Sequence, residues 1–277
     1  MSSKKTARQR AIMRRNLFLL CAGLALVLVA VVVISVFNWI FTDSSSEKGN
    51  NSPTTSSTDK PVDAPTKVPE DNKPDIFQSG NYTLDRNFTN LLLVNEKNPL
   101  PADYDYESGL VSLDGKYRNG QLDKISAQIE PYVKAMCEAA WAENVSLKVW
   151  SPYRSYATQK TLFDNRVNGY INQGLSAAEA EKKALTINAR PGTSEHHTGL
   201  AIDFNCANNS FEGMPAFAWL QQHAHEYGFI MRYPEDKTEI TGVIYEPWHW
   251  RFVGINEAKK IKDSGLCLEE YLEKGKK

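Results

Sequence analysis

Two histidines, an aspartate, a glutamate and an arginine in the second half of the chain have the types and spacing to do chemistry. The stretch PGTSEHHTGLAIDF (191–204) carries adjacent His196 and His197, with Asp203 seven residues after the first. Leu200, Ile202 and Phe204 alternate with Ala201 and Asp203. That alternation predicts a strand with Asp203 facing away from its apolar neighbours. His196 then sits on the loop feeding the strand, where Thr198-Gly199 permits a close backbone approach, and His197 points elsewhere. A third group of the same kind comes from EPWHW (246–250), where Glu246 and His249 are three residues apart. A strand or a tight turn directs both towards one cavity.

Two imidazoles and one carboxylate make a three-ligand zinc site with a fourth position open to water, as catalytic zinc sites have. Zinc lowers the pKa of such a water to about 7 in known hydrolases. A glutamate beside the metal but not bound to it can take the proton and pass it to a leaving amine, and Glu246 fits that role. Arg154, in SPYRSYATQ (151–159), follows a predicted strand end, where its side chain can enter a cleft. Its planar guanidinium grips a carboxylate with two parallel hydrogen bonds, as a hydrolase acting on the last residue of a peptide requires.

Each residue alone has a duller reading. His249 between two tryptophans suits a hydrogen-bonded half-core position, and Asp203 can cap a turn. His223 and His225 share a helix with Trp219 and Tyr227 and read as structural. Cys206 lies near Asp203, but three ligands already complete the set, so it reads as a structural or free thiol.

The elements that must position these groups follow from the local patterns. An apolar strand is expected in LLLVNEKNPLPADY (91–104). Helices are expected over 131–144 with Pro131 at its start, over 156–173, over 176–189 behind a Ser176/Glu179 capping box, and after Pro215 up to Gly228. LKVWS, FIMRY and GVIYEPWHWRFVG read as strands. Helices first and strands gathered late predict an α+β fold, with a small antiparallel sheet carrying the zinc site and helices on its flanks.

The ends set the surroundings. Residues 1–16 hold six basic side chains and no acid, and the run from Leu17 to Phe37 has no charge at all. Such a run is long enough to cross a hydrocarbon core of roughly 30 Å as a helix. It exceeds a usual leader h-region and lacks an A-x-A-like cleavage site, so an uncleaved anchor is the better reading. The expected organisation is a basic cytoplasmic tail (1–16), a transmembrane anchor (17–41), a Ser/Thr/Pro-rich linker (42–75) and an extracytoplasmic domain (76–277) on a single-pass membrane protein. Setting the six tail residues aside leaves 26 Lys+Arg against 33 Asp+Glu, a balance that argues against a nucleic-acid partner. Of the four cysteines, Cys21 is in the anchor, and a Cys206–Cys267 bridge is an open possibility.

Three motifs together resemble the VanY-type zinc D-alanyl-D-alanine carboxypeptidases of bacterial cell walls, relatives of the D-Ala-D-Ala dipeptidases. The family's S-x-H-x-x-G-x-A-x-D pattern stands here as Ser194, His196, Gly199, Ala201 and Asp203. Its E-x-W-H pattern stands as Glu246, Trp248 and His249, and its Y-R-[ST] segment as Tyr153, Arg154 and Ser155 with Gln159 following. The resemblance runs from about residue 90 to 256. It implies zinc on His196, Asp203 and His249, Glu246 as base, Arg154 on the substrate carboxylate, and Ser194 and Gln159 lining the substrate site. Pro152 stands where the family often has Gly, which stiffens the loop carrying Arg154. The implied activity is removal of the terminal D-alanine from a peptidoglycan stem peptide. A non-catalytic wall-binding or signalling module on the same scaffold is the rival, though such a module has no need of Glu246.

Overall fold

The computed structural model describes residues 75–276. The expected tail, anchor and all but the last residue of the linker lie outside that range. Among the described residues no helix is long and apolar enough to cross a membrane.

The described residues open with two hairpins, β1 (Ile76–Ser79) with β2 (Tyr82–Asp85) and β3 (Leu110–Ser112) with β4 (Lys124–Ser126). Among the described residues strands therefore precede the first helix, contrary to the expected order of helices first. Each is only three or four residues long, too short for alternation to show. The 91–94 segment is not a strand either. Its backbone is held by a side chain: Arg251 Nη2 donates to the Leu92 carbonyl at 2.7 Å and the Asn90 carbonyl at 3.3 Å. A guanidinium occupies acceptors that a neighbouring strand would have used.

Helix α1 (Glu130–Ala142) has Pro131 in its first turn and buries Tyr132, Val133, Met136, Cys137 and Ala140 against the main core. After β5 (Val149–Ser151), helix α2 (Tyr156–Ile171) starts at Ser155, whose hydroxyl accepts from the Thr158 N–H. Helix α3 (Ala177–Leu185) has the expected capping box of Ser176 and Glu179. Phe163 and Tyr170 of α2 pack on Ala180 and Ala184 of α3, so this helical hairpin has its own small core.

The central sheet has four antiparallel strands in the order β5-β6-β8-β7, with β6 at Ala201–Phe204, β7 at Phe229–Met231 and β8 at His249–Phe252. Between β6 and β7, α4 (Pro215–His223) runs on as a tighter turn to Tyr227 and stops at Gly228, φ +84°. A single turn α5 (Thr238–Thr241) precedes β8. Helices α6 (Ile255–Ser264) and α7 (Leu268–Lys274) follow it and pack with Ile230 and Val253 in a second apolar cluster. The α+β reading with a small antiparallel sheet and flanking helices matches this architecture.

Alternation sorts the sheet into two faces. Val149, Ile202, Phe204, Trp250 and Phe252 enter the main core. In β5 a register shift between Val149 and Ser151 turns Ser151 to the other face, where it pairs with Asp203. Asp203 pairs in turn with His249, so these three polar residues lie in one row across β5, β6 and β8. Cys137, Cys206 and Cys267 are all free, which corrects the possible Cys206–Cys267 bridge.

Candidate active site

His196, Asp203 and His249 meet at one corner of a cleft of about 280 Å³, and one ligand atom from each lies within 4.8 Å of the others. All three are buried. Asp203 and His249 arrive as register neighbours on β6 and β8. His196 arrives on a short turn, Glu195–Thr198, that ends at Gly199 with φ +66°. A Cβ at Gly199 would stand 2.7 Å from the Ser126 nitrogen, so this turn needs glycine both for its dihedral and for close passage beside β4.

Backbone carbonyls set which nitrogen of His196 and of His197 is free. His196 Nδ1 faces the Pro152 carbonyl at 2.7 Å. A carbonyl can only accept, so the proton is on Nδ1 and the Nε2 lone pair faces Asp203 Oδ1 at 3.4 Å. Pro152, the departure from the family pattern, thus orients His196 through its carbonyl. His197 turns away, as expected: its Nδ1 donates to the Arg154 carbonyl at 2.7 Å and its Nε2 accepts from the Gly192 N–H at 3.1 Å. His197 pins the Arg154 loop and offers no lone pair to the cleft.

His249 is presented the other way round. Its Nδ1 lies 3.0 Å from Asp203 Oδ1, and its Nε2 lies 3.7 Å from Glu195 Oε2. His249 Nε2 and Glu195 Oε2 are both buried without a hydrogen-bond partner. A shift of less than an ångström would join them, fix the proton on Nε2 and leave the Nδ1 lone pair for a cation. The donor set of two imidazole nitrogens and a carboxylate oxygen, each backed by a second group, suits zinc.

The electrostatics fit the same reading. Burial pushes the His196 imidazole down to about 4, so it is neutral. Burial alone would raise the Asp203 carboxyl, but the two imidazoles outweigh it and hold it well below the usual carboxylate range. Burial would depress His249, yet the hydrogen bond to Asp203 and the Glu195 carboxylate facing Nε2 hold it up at about 9. Without a cation this imidazole therefore carries the charge, and a bound cation would take the place of its Nδ1 proton. This corner of the protein has acids enough to hold a cation.

Glu246 also lines the cleft, its carboxylate 3.9 Å from His249 Nδ1. The turn that carries it is fixed by its N–H donating to the Tyr233 carbonyl and by the His249 N–H donating to its own carbonyl. Burial pushes its carboxyl up to about 8. Arg154 enters from the β5 end: Nη1 donates to Gln159 Oε1 at 2.7 Å, Nη2 donates to Ser151 Oγ at 3.1 Å, and Asp203 Oδ2 lies 3.6 Å away.

Gln159 and Ser194 are placed differently from the lining role that the resemblance implied. Gln159 is 1 % exposed and stands behind Arg154, with its amide donating to the Ala189 carbonyl at 2.6 Å. Ser194 is buried at the start of the Glu195–Thr198 turn, and neither residue borders the cleft. Trp248 of the E-x-W-H motif borders it, as does Tyr233, whose ring lies 4.9 Å from that of His249 and which was not singled out in the sequence.

Glu195 is the largest omission. Its Oε1 accepts from Arg232 Nε at 2.7 Å and from Arg251 Nη1 at 2.9 Å, while its Oε2 faces His249. Arg232 in turn forms a two-point pair with Glu269, at 2.8 and 2.6 Å. Arg232 and Arg251 interrupt apolar strand runs, and such interruptions are the signal by which a buried ionic network shows in sequence.

A family model described as VanY, D-alanyl-D-alanine carboxypeptidase, matches residues 122–255. A D-alanyl-D-alanine carboxypeptidase of Enterococcus faecalis is 46% identical over 182 residues, which cover 66% of this chain and 65% of that protein. The chain thus spans just under two thirds of that relative's length. A vancomycin-resistance D,D-pentapeptidase, VanY from a VanB-type cassette, solved in mutant form with Zn(II), is 44% identical with a TM-score of 0.57 over 66% of this chain and 98% of its own. The LdcB LD-carboxypeptidase is 38% identical with a TM-score of 0.58 over 74% of this chain and 96% of its own.

Proposed function

This chain belongs to the VanY D-alanyl-D-alanine carboxypeptidase family, and from that premise we propose that it removes the C-terminal D-alanine from peptidoglycan stem peptides as a zinc enzyme. We further propose that the domain of residues 76–277 works outside the cell on an anchor formed by residues 17–41. The observation that carries the reading is the meeting of His196 Nε2, Asp203 Oδ1 and His249 Nδ1, with Glu246 and Arg154 on the same cleft.

His196, Asp203 and His249 would hold the zinc. Bound there, it supplies a Lewis acid for the scissile carbonyl and water acidic enough to react near neutral pH. Glu246 is placed to take the proton from the attacking water and return it to the leaving amine. Arg154, held rigidly by Gln159 and Ser151, receives the free carboxylate of the terminal residue and so selects the last peptide bond. Burial of the whole group keeps these charges strong.

Incubation of the purified protein with a stem pentapeptide and a stem tetrapeptide tests the function. Alanine released from the first marks D,D-cleavage, and from the second L,D-cleavage. Release from neither, with zinc present, would remove the enzymatic reading and leave the wall-binding module.

Arg154→Ala should lower kcat/KM on peptides with a free C-terminus by about 10²-fold, because a buried charge pair is lost. Peptides with an amidated C-terminus should lose far less. Arg154→Lys should not restore the wild-type value, since an ammonium cannot form the two-point contact. Equal losses on free and amidated peptides would argue against the clamp.

A further inference from the structure

Beyond the metal corner the cleft continues along α2. Leu162, Arg166 and Asn188 border both the cleft and a second hollow of about 260 Å³, which extends over Gly169 towards Gln173. Arg166 is the only charged residue lining that hollow. Asn188 Oδ1 accepts from Arg166 Nε at 3.0 Å, which steadies the guanidinium and leaves both terminal nitrogens without a carboxylate among the described residues. An arginine tethered through Nε at the junction of two hollows has the form of an anion receptor.

The spacing says how far upstream in the substrate that anion lies. Gln159, which holds Arg154, and Arg166 are seven residues apart on one face of α2. Seven residues at helical rise cover about 10 Å. An extended peptide covers the same length in about three residues. With the terminal carboxylate on Arg154, a group two to three residues upstream falls beside Arg166.

We propose that Arg166 forms a second carboxylate subsite, which reads a free carboxylate in the upstream part of the stem peptide. The proposal rests on the stem-peptide reading above and deepens it. Two stem residues offer the same chemistry. A γ-linked glutamyl residue three before the end keeps its α-carboxylate, and a diamino diacid two before the end keeps its second carboxylate. Amidation of either carboxylate removes the charge with little change of shape.

The test compares kcat/KM for alanine release by the zinc-loaded wild-type protein and by Arg166→Gln. The substrates are stem pentapeptides with both carboxylates free, with only the glutamyl one amidated, and with only the diamino-diacid one amidated. The wild type should disfavour one amidated peptide by about tenfold, as loss of a charge-assisted contact does. The amidation that is disfavoured identifies the residue read. In Arg166→Gln that preference should shrink to about twofold or less. A wild type that handles all three peptides alike, or a preference that survives in Arg166→Gln, would overturn the subsite while leaving the carboxypeptidase reading intact. Release from none of them while the stem tetrapeptide is cut would overturn the subsite alone. Release from neither the tetrapeptide nor any of the pentapeptides would overturn both.

Discussion

Glu246→Ala should keep its zinc and lose turnover by about 10²–10⁴-fold, the usual contribution of a positioned general base. The glutamate is 7 % exposed, and its carboxylate stands 3.9 Å from His249 Nδ1, beside the ligand corner without belonging to it. Burial raises its carboxyl to about 8, so the group holds a proton far more readily than an ordinary glutamate. A cation in the corner favours the charged form and draws that value back down. A carboxylate balanced between those influences can accept a proton from water and release it to an amine. Glu246→Gln, nearly the same shape without the base, should lose turnover comparably. Steady-state kinetics with zinc content measured on the same samples decides the matter. Full activity in either variant would remove the assignment, and lost zinc would make Glu246 a ligand instead.

The second large effect is expected at Glu195. Glu195→Gln should cost about 3–5 kcal/mol, because Arg232 and Arg251, both fully buried, lose the carboxylate they share. That corresponds to a fall in Tm on the order of 10 °C. The dependence on pH has a definite sign. Burial alone would raise the Glu195 carboxyl, but Arg232 and Arg251 outweigh it and hold it well below the usual range. A carboxyl lower in the folded than in the unfolded chain stabilises above its unfolded value of about 4.3, and that stability is lost as pH falls below it. The stability gap between wild type and Glu195→Gln should therefore be full at neutral pH and shrink in acid. Urea unfolding of metal-free protein at several pH values measures it. A gap that is small at neutral pH, or that widens in acid, would show that the arginines do not depend on Glu195.

Much of the candidate site was legible because its candidate ligands come from short motifs. Alternation in LAIDF turned Asp203 away from the core, and the glycine after Thr198 marked the close turn that brings His196 in. What no local pattern contained was the partner of each charged residue. Arg232 and Arg251, set in apolar strand runs, point to a buried ionic network without naming its members, and only when β7, β8 and the Glu195 turn are brought together is Glu195 seen behind His249. Other long-range bonds of Arg251 stand in place of the strand expected at 91–94, taking the Leu92 carbonyl and that of Asn90 just before it. Gln159 shares a face of α2 with the cleft, yet only packing shows that Arg154 stands in front of it. Helices were easier: Ser155 and Ser176 mark the starts of α2 and α3 through caps made within a few residues.

The most direct test of the account is the zinc content of the purified, dialysed protein beside its His249→Ala and Asp203→Ala variants. About one zinc ion per chain in the wild type and almost none in either variant is the result expected of a three-ligand site. Zinc that stays bound when His249 is replaced, or a wild type that holds none, would contradict it.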